Sequence, residues 1–210
     1  MGKYENGLST RRIILDAGRQ VFLDKGFHQT SSDDICRAAH VNRSAIYYHF
    51  KDKENLRYEI LWEFIREYRA IVEPYSAKLE IQLALSACLS WVHSIKDAKI
   101  RRFHVDYAHD YPVYIPNQPL PTYYRLLYSN IFGKIWPVEK ISALSFSSIY
   151  GHIVSVMLLA DSEPENFTGK ELFLHNMETG MKSWGIPEEK SRDFWMELKE
   201  GLEQIPDTIE

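Results

Sequence analysis

The sequence predicts an all-α protein in two parts, an N-terminal three-helix domain holding a helix-turn-helix and a larger C-terminal helical domain. Three observations carry this expectation. Apolar residues recur at helical spacing nearly throughout, with no alternating strand pattern longer than a few residues. Residues 30–56, TSSDDICRAAHVNRSAIYYHFKDKENL, place two short helices, a tight turn and a basic exit in one stretch. Charge divides the chain in the same way: residues 1–57 hold ten Lys and Arg against seven Asp and Glu, and the remainder fifteen against twenty-two, for −4 over 210 residues. A basic head on an acidic body suits a module that meets phosphate joined to one that does not.

The elements follow in order. A first helix runs from about residue 10 to 25, burying Ile13, Ile14, Ala17, Val21 and Phe22, and Gly26 ends it. Ser31 caps the second helix through its side-chain oxygen, and Asp34, three residues on, completes a capping box ahead of Ile35. Ile35, Cys36 and Ala39 form its buried face, while Asp33 and Arg37 stay in water. The turn is His40-Val41, where positive φ suits Gly best and His is tolerated. Asn42 then caps a third helix over 43–49, with Ala45, Ile46 and, just beyond it, Phe50 turned inward. Arg43, Ser44, Tyr47, Tyr48 and His49 are left outside, and so short a helix rarely exposes two tyrosines without a partner.

Asp52 caps a long helix carrying Leu56, Ile60, Leu61, Phe64, Ile65 and Tyr68, which ends before Pro74. Helices are expected at about 78–96 and 101–111, followed by the loop PVYIPNQPLP at 112–121, which four prolines make stiff. Further helices fit 122–136, 139–160, 169–184 and 187–204, the last opening on Pro187. Cys36 and Cys88 both sit in apolar helical patterns, which points to buried thiols in a reducing cytoplasm rather than a disulfide framework. Met1 to Arg12 is polar, and no run approaches the roughly 18 apolar residues that span a bilayer, so no membrane association is expected.

The run from Gly26 to Leu56, with GFHQTSSDDI and RAAHVNRSAIYYHFKDKENL, resembles the TetR-type transcriptional regulators. Their pattern is a Gly-Phe exit, Thr or Ser before an Asp-Ile helix, then Leu-Tyr-x-His-Phe and Lys-x-x-Leu. The likeness covers residues 10–57 and departs at Cys36, His40 and Asn42, where Ala, Gly and Ser are usual. It implies a helix-turn-helix DNA-binding domain at 1–57 and a helical effector-binding and dimerisation domain at 58–210. It further implies a cytoplasmic homodimer, a double-stranded, palindromic operator, and a repressor released from that operator when a small molecule binds.

The DNA-facing candidates are Thr30, Asn42, Arg43, Ser44, Tyr47, Tyr48, Lys51 and Lys53. Arg43 can reach either base edges or phosphate, and Ser44 and Tyr48 are candidates for the groove. By the resemblance, Tyr47 donates its hydroxyl to a backbone phosphate and Lys53 meets phosphate from the start of the next helix, where unpaired N–H groups also favour an anion. Lys51 and Thr30 are weaker phosphate candidates.

In the body, Ala143, Ser147, Gly151 and Ser155 recur every four residues, leaving one stripe of the 139–160 helix almost without side-chain bulk. Such a stripe lets two helices approach closely, either across a dimer interface or within one chain. Between Trp91 and Tyr150 aromatic residues are dense and rich in tyrosine, which suits either an amphipathic pocket or a tyrosine-rich core. The pocket candidates are Trp91, Phe103, His104, Tyr107, Tyr111, Tyr124, Tyr128 and Tyr150, and the effector they would fit is flat or aromatic, mostly apolar, and neutral or cationic. His104 and His109 lie five apart rather than at the i, i+4 spacing of a helical zinc pair, so no metal is expected. No Gly-rich phosphate loop, Cys-x-x-Cys or nucleophile elbow occurs, which leaves catalysis and cofactors without a motif. The alternative is a helical small-molecule or metal-binding protein whose helix-turn-helix no longer binds DNA. Salt-sensitive binding to a palindromic duplex separates the two.

Overall fold

The computed structural model describes residues 3–110, 168–183 and 188–209. Among them the elements are helical: α1 (Lys3–Lys25), α2 (Ser32–Ala39), α3 (Arg43–Phe50), α4 (Lys53–Val72), a 3-10 turn (Glu73–Tyr75), α5 (Leu79–Lys96), α6 (Ala98–His109), α7 (Gly169–Ser183) and α8 (Glu188–Gln204). The chain divides into two compact units, Met1–Phe64 and Ile65–Glu210, and the division falls inside α4.

The core of the first unit is built from Ile14, Leu15 and Phe22 of α1, Ile35 and Ala39 of α2, Ile46 and Phe50 of α3, and Leu56, Ile60 and Phe64 of α4. Polar links run along the α1–α4 seam. Arg11 pairs with Glu59 at 3.0 Å, Arg12 with Glu63 at 2.5 Å, and the Arg19 guanidinium lies 4.1 Å from the centre of the Phe64 ring. Gly26, at φ 87°, stops α1, and its N–H donates to Phe22 O at 2.9 Å. Two expectations for α1 are corrected. The helix begins at Lys3 rather than near residue 10, because residues 3–9 carry no apolar stripe that periodicity could detect. Ile13 is 49% exposed and Ala17 and Val21 are half-buried, while Leu15 takes the inward position beside Ile14. Ala45 on α3 is likewise only half-buried.

In the second unit α5 is the central element. Ile81, Leu83, Ala84, Leu85, Ala87, Cys88, Leu89, Trp91, Val92 and Ile95 are all buried, so the helix is covered on every side, as a helix apolar all round must be. Helices α6, α7 and α8 pack on it. Helix α6 starts at Ala98, three residues before the expected start, because the Asp97 carboxylate accepts from the N–H groups of Lys99 (2.7 Å) and Ile100 (3.2 Å). Helix α7 opens on a capping box: Thr168 Oγ1 accepts from Glu171 N–H at 3.2 Å, and Glu171 Oε2 accepts from Thr168 N–H at 2.9 Å. Gly169 behind it lies against the backbone of α5. A Cβ there would sit 2.5 Å from Val92 Cα and 2.6 Å from Val92 N. Cys36 in the first unit and Cys88 in the second are both buried, and burial raises both thiol pKa values. The expected loop at 112–121 and the helices at 122–136 and 139–160 lie outside the described residues.

Candidate nucleic-acid interface

Local chemistry fixes how α2 and α3 meet. Ser31 Oγ accepts from Asp34 N–H at 3.2 Å and Asp34 Oδ2 accepts from Ser31 N–H at 2.9 Å, which closes the expected capping box. The Asp34 carboxylate also pairs with Lys25 at 2.7 Å and Arg37 at 3.3 Å. The Lys25 ammonium, together with Ser31, holds its carboxyl far below the usual range. His40 takes the left-handed conformation at φ 53°, ψ 40°, and Val41 N–H returns to Cys36 O at 3.0 Å, so the chain turns sharply after α2. Asn42 Oδ1 accepts from Ala45 N–H at 3.1 Å and from Ser44 Oγ at 2.6 Å, starting α3 where the sequence places it.

On α3 the spacing of four between Ile46 and Phe50 turns both inward, and the opposite face is left to polar and aromatic groups. Tyr47 is 58% and Tyr48 83% exposed, with Arg43 and Ser44 exposed beside them. The Arg43 guanidinium is held in two places by Asp33 of α2: Nε donates to Oδ1 and Nη2 to Oδ2, each at 2.5 Å. That pairing lowers the Asp33 pKa and raises that of Arg43. Helix α3 ends at Lys51, exposed, at φ 69°, ψ −47°, where Asp52 N–H donates to Phe50 O at 2.8 Å. This is a γ-turn of the strained, positive-φ hand. Asp52 Oδ1 then accepts from Asn55 N–H at 2.7 Å and caps α4.

Two DNA-facing candidates turn inward. Lys53 Nζ donates to Phe27 O at 3.0 Å and Thr30 O at 2.9 Å, and lies 4.1 Å from the centre of the Phe27 ring. Thr30 is buried, with Oγ1 donating to Gly26 O at 2.7 Å. Both side chains are committed to the turn between α1 and α2, so this geometry presents neither to a phosphate. The physical reason is that the connection between α1 and α2, residues 26–31, leaves carbonyls without helical partners, and the nearest long donor satisfies them.

Residues 14–60 match the family model described as bacterial regulatory proteins, tetR family. Over these residues the head is similar to the N-terminal domain of TetR-family regulators. Over 54 residues the head is 50% identical to the HTH-type transcriptional regulator AcrR of Shigella flexneri, a match covering 26% of this chain and 25% of that one. Over 52 residues it is 44% identical to the HTH-type transcriptional repressor BepR of Brucella suis biovar 1, covering 25% of each chain. The match thus spans about a quarter of the length of these curated relatives. The crystal structure of a tetR-family transcriptional regulator from Streptomyces coelicolor aligns at a TM-score of 0.54 and 15% identity, covering 99% of this chain and 92% of that one. It shows that the fold is shared.

Of the pocket candidates, Trp91, Phe103, Tyr107 and His104 lie buried in the core of the second unit. Ser94 Oγ donates to Ser90 O at 2.7 Å and stands 2.7 Å from His104 Nδ1, so its single proton is already used and His104 Nδ1 carries the hydrogen between them. Tyr111, Tyr124, Tyr128 and Tyr150, and the stripe Ala143, Ser147, Gly151 and Ser155, lie outside the described residues. Among the described residues no three His, Cys, Asp or Glu side chains converge as a metal site requires, and no helix is long and apolar enough to cross a membrane. The residue that sequence reasoning missed is Asp33, assigned to water and found on Arg43. Only the opposite charges hinted at the pair, since ten residues and a turn separate the two.

Proposed function

We propose that this TetR-headed chain is a ligand-responsive transcription regulator, a repressor that leaves a palindromic operator when a small molecule binds its body. The observation that carries the reading is the outer face of α3: two tyrosines, an arginine and a serine stand exposed on a helix whose inner face, Ile46 and Phe50, is fixed in the core. A recognition helix needs that division, since groove contacts come from the outer face and their precision from the inner one. In this reading Arg43 and Ser44 meet base edges or phosphate, Tyr47 a backbone phosphate, and Tyr48 the groove, with Asn42 and Lys51 at the two ends of the helix. The repressor named among the relatives, BepR, supports the direction of regulation.

The body supplies two further parts of the reading. A homodimer seam along Ala143, Ser147, Gly151 and Ser155 brings two heads to a two-fold-symmetric site, which a head of net charge +3 needs for tight binding. A pocket bounded by Trp91, Phe103, His104 and Tyr107 with Tyr111, Tyr124, Tyr128 and Tyr150 takes a flat or aromatic effector. The protein works in the cytoplasm, where its operator is.

The test is selection of bound duplexes from a random pool by the full chain. A two-fold-symmetric consensus is expected, with affinity falling steeply as salt rises. On that consensus Tyr47→Phe weakens binding to every sequence alike, as the loss of a phosphate contact does, by about 1 kcal/mol. Arg43→Ala also relaxes preference at one base pair per half-site. Recovery of no duplex at all refutes the regulator reading.

A further inference from the structure

We infer that Asp33 is a specificity-determining residue of this interface, acting through Arg43 by leaving its guanidinium a single fork with which to read DNA. The inference rests on the DNA-binding reading above and adds to it the chemistry of one contact.

A guanidinium offers five N–H donors and two forks that match a pair of acceptors, one formed by Nε and Nη2 and the other by Nη1 and Nη2. Asp33 occupies the first fork with both oxygens. The second remains, on a side chain that is 61% exposed. That remaining fork matches the N7 and O6 acceptors of guanine in the major groove. A phosphate could also accept from it, but Asp33 opposes that choice twice. Its carboxylate neutralises the cation that would attract a phosphate, and it brings a negative charge of its own wherever Arg43 goes. A guanine edge is neutral and escapes this penalty, so the pair favours base over backbone. Holding the long arginine from a second helix also restricts its rotamers, so the side chain cannot swing to whichever acceptor a wrong sequence offers. The pair has little to do with holding the fold together. Both partners are more than half exposed, and exposed ion pairs contribute little to stability.

The experiment measures affinity of the full chain for its selected operator, for that operator with the recognised guanine replaced, and for random duplex, each over a range of salt. Wild type, Asp33→Asn, Arg43→Ala and the double variant are compared. Asp33→Asn is expected to bind random duplex more tightly, to lose about tenfold in the ratio of selected to random affinity, and to gain about one in salt slope. In the Arg43→Ala background, adding Asp33→Asn should change the ratio by less than about twofold, because the residue acts through the arginine. An unchanged ratio for Asp33→Asn in a wild-type chain that does bind its operator overturns the inference and leaves the regulator reading standing. An equal loss in both backgrounds overturns it too, since Asp33 would then act by itself. Failure of the wild type to bind any duplex overturns both.

Discussion

His40 occupies a conformation that most side chains avoid. At φ 53°, ψ 40° its Cβ crowds the following carbonyl, a cost of roughly 1–2 kcal/mol for an L residue, and its exposed imidazole regains none of that by packing. Replacing it with Gly removes the crowding, while the greater freedom of Gly in the unfolded chain returns part of the gain. His40→Gly should therefore raise the stability of the first unit by about 0.5–1 kcal/mol, read as a higher urea midpoint at unchanged m-value. A lower midpoint would mean that the imidazole makes a contact worth more than the strain. This turn was legible in the sequence because a capping box ended before it and an Asn cap followed it. The turn at Lys51 was not, since no Gly, Asn or Pro marks it, and its φ of 69° follows from the demand that α4 start with only two residues between it and the end of α3. The Asp33–Arg43 pair was hidden for a different reason: local spacing identifies neighbours on one helix, not partners on two.

Long apolar helices announced themselves, and α4, α5 and α8 fall within a residue or two of where periodicity put them. What periodicity does not register is backbone meeting backbone. Helix α7 begins on α5 with Gly169 over Val92, too close for any side chain, and the atoms in the way belong to the main chain of a helix buried on all sides. Neither can give without moving a helix axis. Gly169→Ala should accordingly destabilise the second unit by at least about 1–3 kcal/mol, the usual cost of overpacking, despite the better helix propensity of Ala. Chemical denaturation of the variant checks this, and a stability at or above wild type would show that α7 seats differently. The starts of α6 and α7 teach a related lesson. Both are set by a side-chain oxygen that accepts from first-turn N–H groups, on Asp97 and Thr168, and such caps are visible in a sequence only to a reader who looks for an acceptor before looking for a stripe.

Across the whole molecule, acid should act on the second unit through His104. Burial pushes its pKa down to about 3, so the folded protein keeps the ring neutral where an unfolded chain, with an ordinary histidine pKa of roughly 6.5, takes up a proton. The unfolded state therefore binds more protons between those values. This contribution is complete above about pH 6.5 and is lost as pH falls toward 3, at up to about 1.4 kcal/mol per pH unit. Urea midpoints measured from pH 7.5 down to 5 should fall, and His104→Gln should flatten that dependence. An identical slope in the variant would assign the effect to other groups. Charge and motif together led to an expected boundary at residues 57/58, whereas the two compact units meet between Phe64 and Ile65, a point no pattern marks because α4 passes through it without a break. The two buried cysteines fall on opposite sides of that division. An alkylating reagent attacks a thiolate that has reached solvent, so modification of Cys36 waits for the head to open and modification of Cys88 waits for the body. The native chain thus carries one built-in chemical reporter in each half, and the order in which the two are marked gives the order in which the halves come apart.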